Sequence, residues 1–174
     1  MRILILSYFF PPCNKVGGRR WAKFAKYLFM SGHDIRVITV DVPMLGNCPW
    51  SNDISSYAGH IHRLPYNFKR PYYQRVMRPR SFAGKIRYRV SRWYDQLNSN
   101  RFQGNFRDIS RKQKNALISK ATELIMNNKI SHVVVTGGPF HWLYYGAQLK
   151  KRFPGIKLIT DFRDYWTGGE GSAM

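Results

Sequence analysis

Three short stretches carry residue types that can bind or move charge: Gly17-Gly18-Arg19-Arg20, Gly137-Gly138-Pro139-Phe140-His141 and Asp161-Phe162-Arg163-Asp164. The first sits where an apolar run gives way to a helical pattern. The opening amides of a helix lack intrahelical partners, and the helix dipole adds partial positive charge there, so such an end suits an anion. Glycines let a ligand approach the backbone, and two arginines add forked donors. The same residues also fit a plain turn followed by two solvated side chains, and the pattern leaves both readings open. The fingerprint G-x-G-x-x-G is absent, which disfavours a simple dinucleotide site. In the second stretch Pro139 suits the first turn of a helix. His141 then falls at a helix amino end, which disfavours the charged ring and leaves a neutral imidazole as a hydrogen-bond partner. A histidine packed at a helix start fits equally well. The third stretch sets two carboxylates around an arginine.

The elements that must position these residues follow from apolar spacing. Ile3-Leu4-Ile5-Leu6 is too short and too β-branched for anything but a buried strand. A helix follows with Trp21, Phe24, Ala25 and Leu28 as its inward face, stopped by Ser31-Gly32-His33. Ile35 to Val40 forms a second strand, completing a βαβ unit whose crossover implies parallel strands. Asp41 stands where a Rossmann acid binds ribose, but without the glycine fingerprint it reads as a strand-end residue that caps or turns. Val42 to Gly59 reads as a loop, and Ile61 to Pro65 as a short strand near an edge. His60 and His62 would share one side of that strand; with no third ligand in view they read as surface or satisfied histidines. A helix from about Ser110 to Asn127 buries Leu117, Ala121, Leu124 and Ile125. Val133-Val134-Val135 is another buried strand, Phe140 to Arg152 a helix, and Ile156 to Thr160 a last strand. The class is therefore α/β: a Rossmann-like, open, mostly parallel sheet with helices on both faces. In such sheets ligands bind outside the carboxyl ends of the strands, so the topology brings all three stretches to one rim.

Charge says what kind of partner to expect. The chain of 174 residues carries 29 Lys and Arg against 9 Asp and Glu, a net charge of +20. With 44% hydrophobic residues it can build one real core, and phosphates, anionic headgroups and nucleic acid are the candidate partners. Most of the excess falls in a basic helical insertion at about 69–114. There Phe82, Ile86, Val90, Trp93 and Leu97 recur at helical spacing, with Lys85, Arg89 and Arg92 on flanking positions. Such a helix suits an anionic membrane surface. It could instead be an ordinary packed helix with a solvated face. With Tyr72, Tyr73, Tyr88 and Tyr94 interleaved it could also serve single-stranded nucleic acid, which comes last of the three. Cys13 and Cys48 make neither a metal pair nor a disulfide framework. No apolar run is long enough for a signal peptide or a spanning helix. The expectation is a cytoplasmic protein that meets a membrane only from the side, at the inner face of the cell membrane.

Ser7-Tyr8-Phe9-Phe10-Pro11-Pro12, followed by Gly17-Gly18 and the helix to Gly32-His33, resembles the amino-terminal domain of family 4 glycosyltransferases. Asp161-Phe162-Arg163-Asp164-Tyr165-Trp166-Thr167 resembles that group's D-F-R-D-P-W-T motif, with Tyr165 in place of proline. The resemblance covers both ends of the chain and is weaker over the basic middle. It implies a GT-B architecture of two Rossmann-like domains, of which residues 1–174 would be the acceptor-side one. It further implies sugar transfer from a nucleotide sugar, with retention and without a metal or other cofactor, to a lipid-linked or saccharide acceptor in surface polysaccharide synthesis. Gly17, Gly18, Arg19, Arg20, Gly137, Gly138, Arg163 and Asp164 would line the cleft for donor and acceptor, and His141 and Asp161 would be its catalytic candidates. Asp161 or Asp164 would orient an acceptor hydroxyl or pair with Arg163. In the family a histidine often follows T/S-G-P-P; this chain has Phe140 there and His141 one position later. The family's donor-binding domain, with its basic pair and paired glutamates, has no counterpart in these residues. The resemblance thus implies a half-enzyme, inactive alone. The rival expectation is a basic module with no chemistry, binding anionic membrane or nucleic acid through Lys85, Arg89, Arg92 and Trp93.

Overall fold

The computed structural model describes residues 1–42, 48–66, 81–100 and 111–162, with the side chains of 92, 94–100, 111 and 112 left undescribed. The chain divides into two compact units, Met1–Tyr66 with Arg111–Met174, and Asn67–Ser110. The first unit is α/β and Rossmann-like. Strands β1 (Arg2–Leu6), β2 (Asp34–Val40), β3 (Ile61–Leu64), β4 (His132–Thr136) and β5 (Lys157–Asp161) form one open sheet in the order β3-β2-β1-β4-β5. Every pairing among the described strands is parallel, with Leu6 opposite Ile38 on one side and Val135 on the other.

The unbroken apolar runs of β1 and β4 follow from burial on both faces. Ile3 and Ile5 point to a core shared with Ala22 and Ala25 of helix α1 (Val16–Met30). Leu4 and Leu6 point to the opposite core, filled by α3 (Arg111–Asn127) and α4 (His141–Arg152). The stripe Leu117, Ala121, Leu124 and Ile125 is buried as its spacing requires. Helix α1 ends as its sequence dictates. Gly32 takes φ +79°, and the Gly32 and His33 amides donate to the Phe29 and Leu28 carbonyls at 3.0 and 3.1 Å.

Two expectations need correction here. The inward face of α1 is Ala22 and Ala25, with Trp21 and Leu28 half-buried and Phe24 half-exposed at 50%. Small residues face the sheet because α1 lies close upon it. Most of the second half of the expected loop is 3-10 helical structure, Ser51–His60, kinked at Tyr57, which is buried and donates its hydroxyl to the Ala22 carbonyl at 2.9 Å. His60 therefore precedes β3 instead of sharing a strand face with His62. Its Nδ1 lies 2.9 Å from the Ile35 carbonyl oxygen, a satisfied structural position.

The second unit is described through helix α2 (Phe82–Asn100). Its Gly84 amide meets the Ser81 hydroxyl oxygen at 3.1 Å, and its apolar residues Phe82, Ile86, Val90 and Trp93 are all exposed.

Candidate functional site

The connection from β1 runs to β2 and that from β4 to β5, in opposite directions along the sheet. Their carboxyl ends flank the point where the strand order reverses, the place where open α/β sheets leave a crevice.

The loop leaving β1 is pinned from its neighbours. Thr39 Oγ1 donates to the Tyr8 carbonyl at 3.1 Å, and Arg63 Nη2, at the end of β3, donates to the Pro11 carbonyl at 2.6 Å. Helix α1 then begins with Lys15 as its cap, without a side-chain cap bond and without an acid in its first turn. The Gly18 amide already donates to the Lys15 carbonyl at 2.9 Å. A Cβ on Gly18 would stand 2.9 Å from the Phe9 carbonyl oxygen and 3.1 Å from the Phe10 Cα. Glycine at 18 is therefore required by the chain's own backbone, which crosses the helix there. The two arginines part company: the Arg19 guanidinium lies 5.2 Å from the Trp50 ring centroid, while Arg20 Nη2 donates to Asp161 Oδ2.

Asp161 joins three elements. Its Oδ2 also accepts the Trp21 indole N–H at 2.6 Å, and its backbone carbonyl accepts the Gly137 amide at 2.8 Å. The end of β5 is thus bonded to α1 through the side chain and to the end of β4 through the backbone. Among the described residues, the ion pair of Asp161 is with Arg20. By spacing alone Trp21 is an apolar helix residue. The signal available was its position directly after Arg19-Arg20, since an indole has a donor that a half-buried site must satisfy.

Beyond β4 the chain turns through Gly137 and Gly138. Gly138 takes φ +106°, which only glycine adopts without strain. A Cβ on Gly137 would meet the Phe140 ring at 3.2 Å and the Asp161 carbonyl oxygen at 3.3 Å. Helix α4 starts without a side-chain cap, its Trp142 and Leu143 amides turned to the Pro139 and Phe140 carbonyls at 3.2 and 3.0 Å. His141 is 3% exposed, its ring edge-on to Tyr145 with centroids 5.4 Å apart. Burial lowers its pKa from 6.5 to about 4. The neutral imidazole expected from the sequence has burial as its cause. Its Nε2 has no hydrogen-bond partner among the described residues.

The structure therefore gathers Gly17, Gly18, Arg20, Gly137, Gly138 and Asp161 at the carboxyl ends of β1, β4 and β5, with His141 beneath the surface at the start of α4. Arg19 turns toward Trp50. Arg163 and Asp164 lie outside the described residues. Lys85, Arg89 and Trp93 are exposed on α2, and Arg92 belongs to the same helix. An open depression of about 440 Å³ lies elsewhere, against Met1, Arg2, Asp34 and Lys129 at the amino ends of the strands. Among the described residues no three His, Cys, Asp or Glu side chains are grouped as a metal ion requires. Chemically, the rim offers one buried neutral imidazole, one carboxylate held by two donors, and a basic helix end. No protein-family model and no curated protein sequence matches the chain.

Proposed function

We propose that this chain is the acceptor-side domain of a glycosyltransferase, working with a donor-binding domain to move a sugar from a nucleotide sugar to a lipid-linked acceptor. The observation that carries this reading is the convergence at one sheet crevice of an acid-free, glycine-bearing helix start, the Gly137-Gly138 turn and Asp161, in a chain whose net charge is +20. A crevice of that kind suits a diphosphate. Lys15 and Arg19 supply positive charge beside the amino end of α1. Asp161 stands where a sugar hydroxyl could reach its Oδ1, since both donors it meets among the described residues use Oδ2. Its Arg20 and Trp21 donors hold the carboxylate in one orientation. A lipid-linked acceptor would bring the protein to the inner face of the cell membrane. Surface polysaccharide synthesis is the setting in which such acceptors are used.

The test is amide chemical-shift mapping on the full chain with a prenyl diphosphate-linked sugar, and with the same sugar lacking its diphosphate. Shifts at Gly17, Gly18 and Gly137 that require the diphosphate are expected. Shifts confined to other residues, or none, would remove the reading. Sugar transfer by the chain alone would overturn the claim that a donor domain is needed. A second reading, a basic binding module with no chemistry, is favoured by the exposed apolar side of α2.

A further inference from the structure

We infer that α2 is a docking helix for an anionic lipid bilayer, lying flat on it through Phe82, Ile86, Val90 and Trp93. At about 100° per residue these four fall within roughly 80° of the helix circumference. All are exposed: 80% for Phe82, 50% for Ile86, 58% for Val90 and 63% for Trp93. The opposite side of the helix holds its buried position, Gly84, and the half-buried Tyr88 and Ser91. A water-soluble amphipathic helix turns its apolar stripe inward, as α3 does with Leu117, Ala121, Leu124 and Ile125. Helix α2 is reversed: its smallest residue is covered and its largest are offered outward.

Charge decides what covers the stripe. Lys85 and Arg89 are exposed along its margin, Arg89 between the directions of Lys85 and Phe82, and the first turn carries no acid. An apolar strip edged by cations matches a surface whose interior is hydrocarbon and whose headgroups are anionic. It matches nucleic acid less well, because base stacking needs rings and Ile86 and Val90 supply none. The helix of 19 residues is about 28 Å long. Among the described residues no helix is long and apolar enough to cross a membrane, so the geometry is contact in the plane of the surface. The docking surface takes from the transferase reading only its setting at a membrane, and vesicle binding is measured without any sugar transfer, so each can fail while the other stands.

The experiment is flotation of the full chain with vesicles of phosphatidylcholine alone and of phosphatidylcholine mixed with phosphatidylglycerol. Binding to the mixed vesicles, weakened by salt as screened charges require, is the expected result. The triple variant Ile86→Ser, Val90→Ser, Trp93→Ser should lose roughly a hundredfold in affinity while circular dichroism and melting temperature hold, because the residues are exposed. Quenching of tryptophan by lipids brominated along the acyl chain should fall in Trp93→Phe. Absence of binding to mixed vesicles would overturn the inference. So would binding that the triple variant keeps, which would reduce it to general attraction of a cationic chain. A homopolymer RNA that binds more weakly to the triple variant would place nucleic acid on the stripe instead, and would also overturn it.

Discussion

Replacing His141 by leucine should flatten the acid side of this protein's stability profile. The ring is 3% exposed, rests on Tyr145, and has its Nε2 unpartnered among the described residues. Its pKa falls from 6.5 to about 4 because a charged imidazole there would lose its water. In the unfolded chain the same ring takes up its proton near 6.5. Between these values the unfolded state therefore binds more protons than the folded one. Stability from the neutral ring is complete above about pH 6.5, drains away as pH falls, and is gone below about pH 4. Each pH unit of that gap is worth about 1.4 kcal/mol, so the loss is about 3 kcal/mol across the window. That is a large share of the ~5–15 kcal/mol available to a domain. Urea unfolding at several pH values gives the stability of wild type and His141→Leu, and their difference cancels every other titrating group. The difference should shift against wild type by about 1.4 kcal/mol per pH unit through the window. A difference that stays level, or an imidazole Cε1 proton resonance titrating near the ordinary value, would refute the argument. It would also remove the neutral imidazole from any mechanism built on this rim.

Further substitutions separate packing from polar contacts. Gly18→Ala should destabilise by about 1–3 kcal/mol despite the better helix propensity of alanine, because the atoms met at 2.9 and 3.1 Å are backbone and cannot rotate away. Gly155→Ala, where nothing lies within 4 Å, is the neutral control in the same thermal melts. Gly146→Ala puts a Cβ 2.6 Å from Val135 Cγ2 and should cost about as much as Gly18→Ala; adding Val135→Ala should recover part of that loss, whereas two independent losses would refute the contact. Asp161→Ala should cost about 1–3 kcal/mol by stranding the Trp21 indole donor, and Arg20→Ala under about 1 kcal/mol, since the Arg20 side chain is 42% exposed. Equal losses for those two variants in urea unfolding would mean that the ion pair, not the indole, fastens α1 to β5.

The sheet was legible because its central strands are buried on both faces, and a run such as Ile3 to Leu6 has no other stable arrangement. The helices of unit one were legible in period but less so in face. Apolar spacing put Phe24 inward, yet close approach of α1 to the sheet selects Ala22 and Ala25 and leaves Phe24 at the margin. Ser51–His60 is not legible because its polar, glycine-bearing sequence has no period; it is held by long-range contacts such as the Tyr57 bond to Ala22, the His60 contact with Ile35 and the Asp53 pairs with Lys23 and Lys26. At the candidate rim, residue types and strand ends could be read, but bonding partners could not. Nothing local says that Asp161 meets Arg20 and Trp21, some 140 positions away, because only the sheet order brings β5 beside α1. Helix α2 shows the same limit in reverse: its stripe was legible, while the direction in which it points depends on which side carries Gly84.

The bonding around Asp161 constrains any anion that enters the crevice. Arg20 already serves a resident carboxylate, and Gly18 donates its amide to Lys15. A phosphate could win Arg20 outright only by displacing Asp161, which would leave the Trp21 donor half-buried and unpaired at a cost of about 1–3 kcal/mol. It is cheaper for the ligand to meet Lys15 and Arg19, which are exposed at the start of α1 with no acid in its first turn. On that route Asp161 keeps its two donors. The carboxylate is then available to a neutral hydroxyl and repels a second anion. On the proposed transferase reading, a crevice arranged in this way would favour ligands with a phosphate at one end and a hydroxyl-bearing group at the other over inorganic diphosphate, whose charge is spread along its whole length.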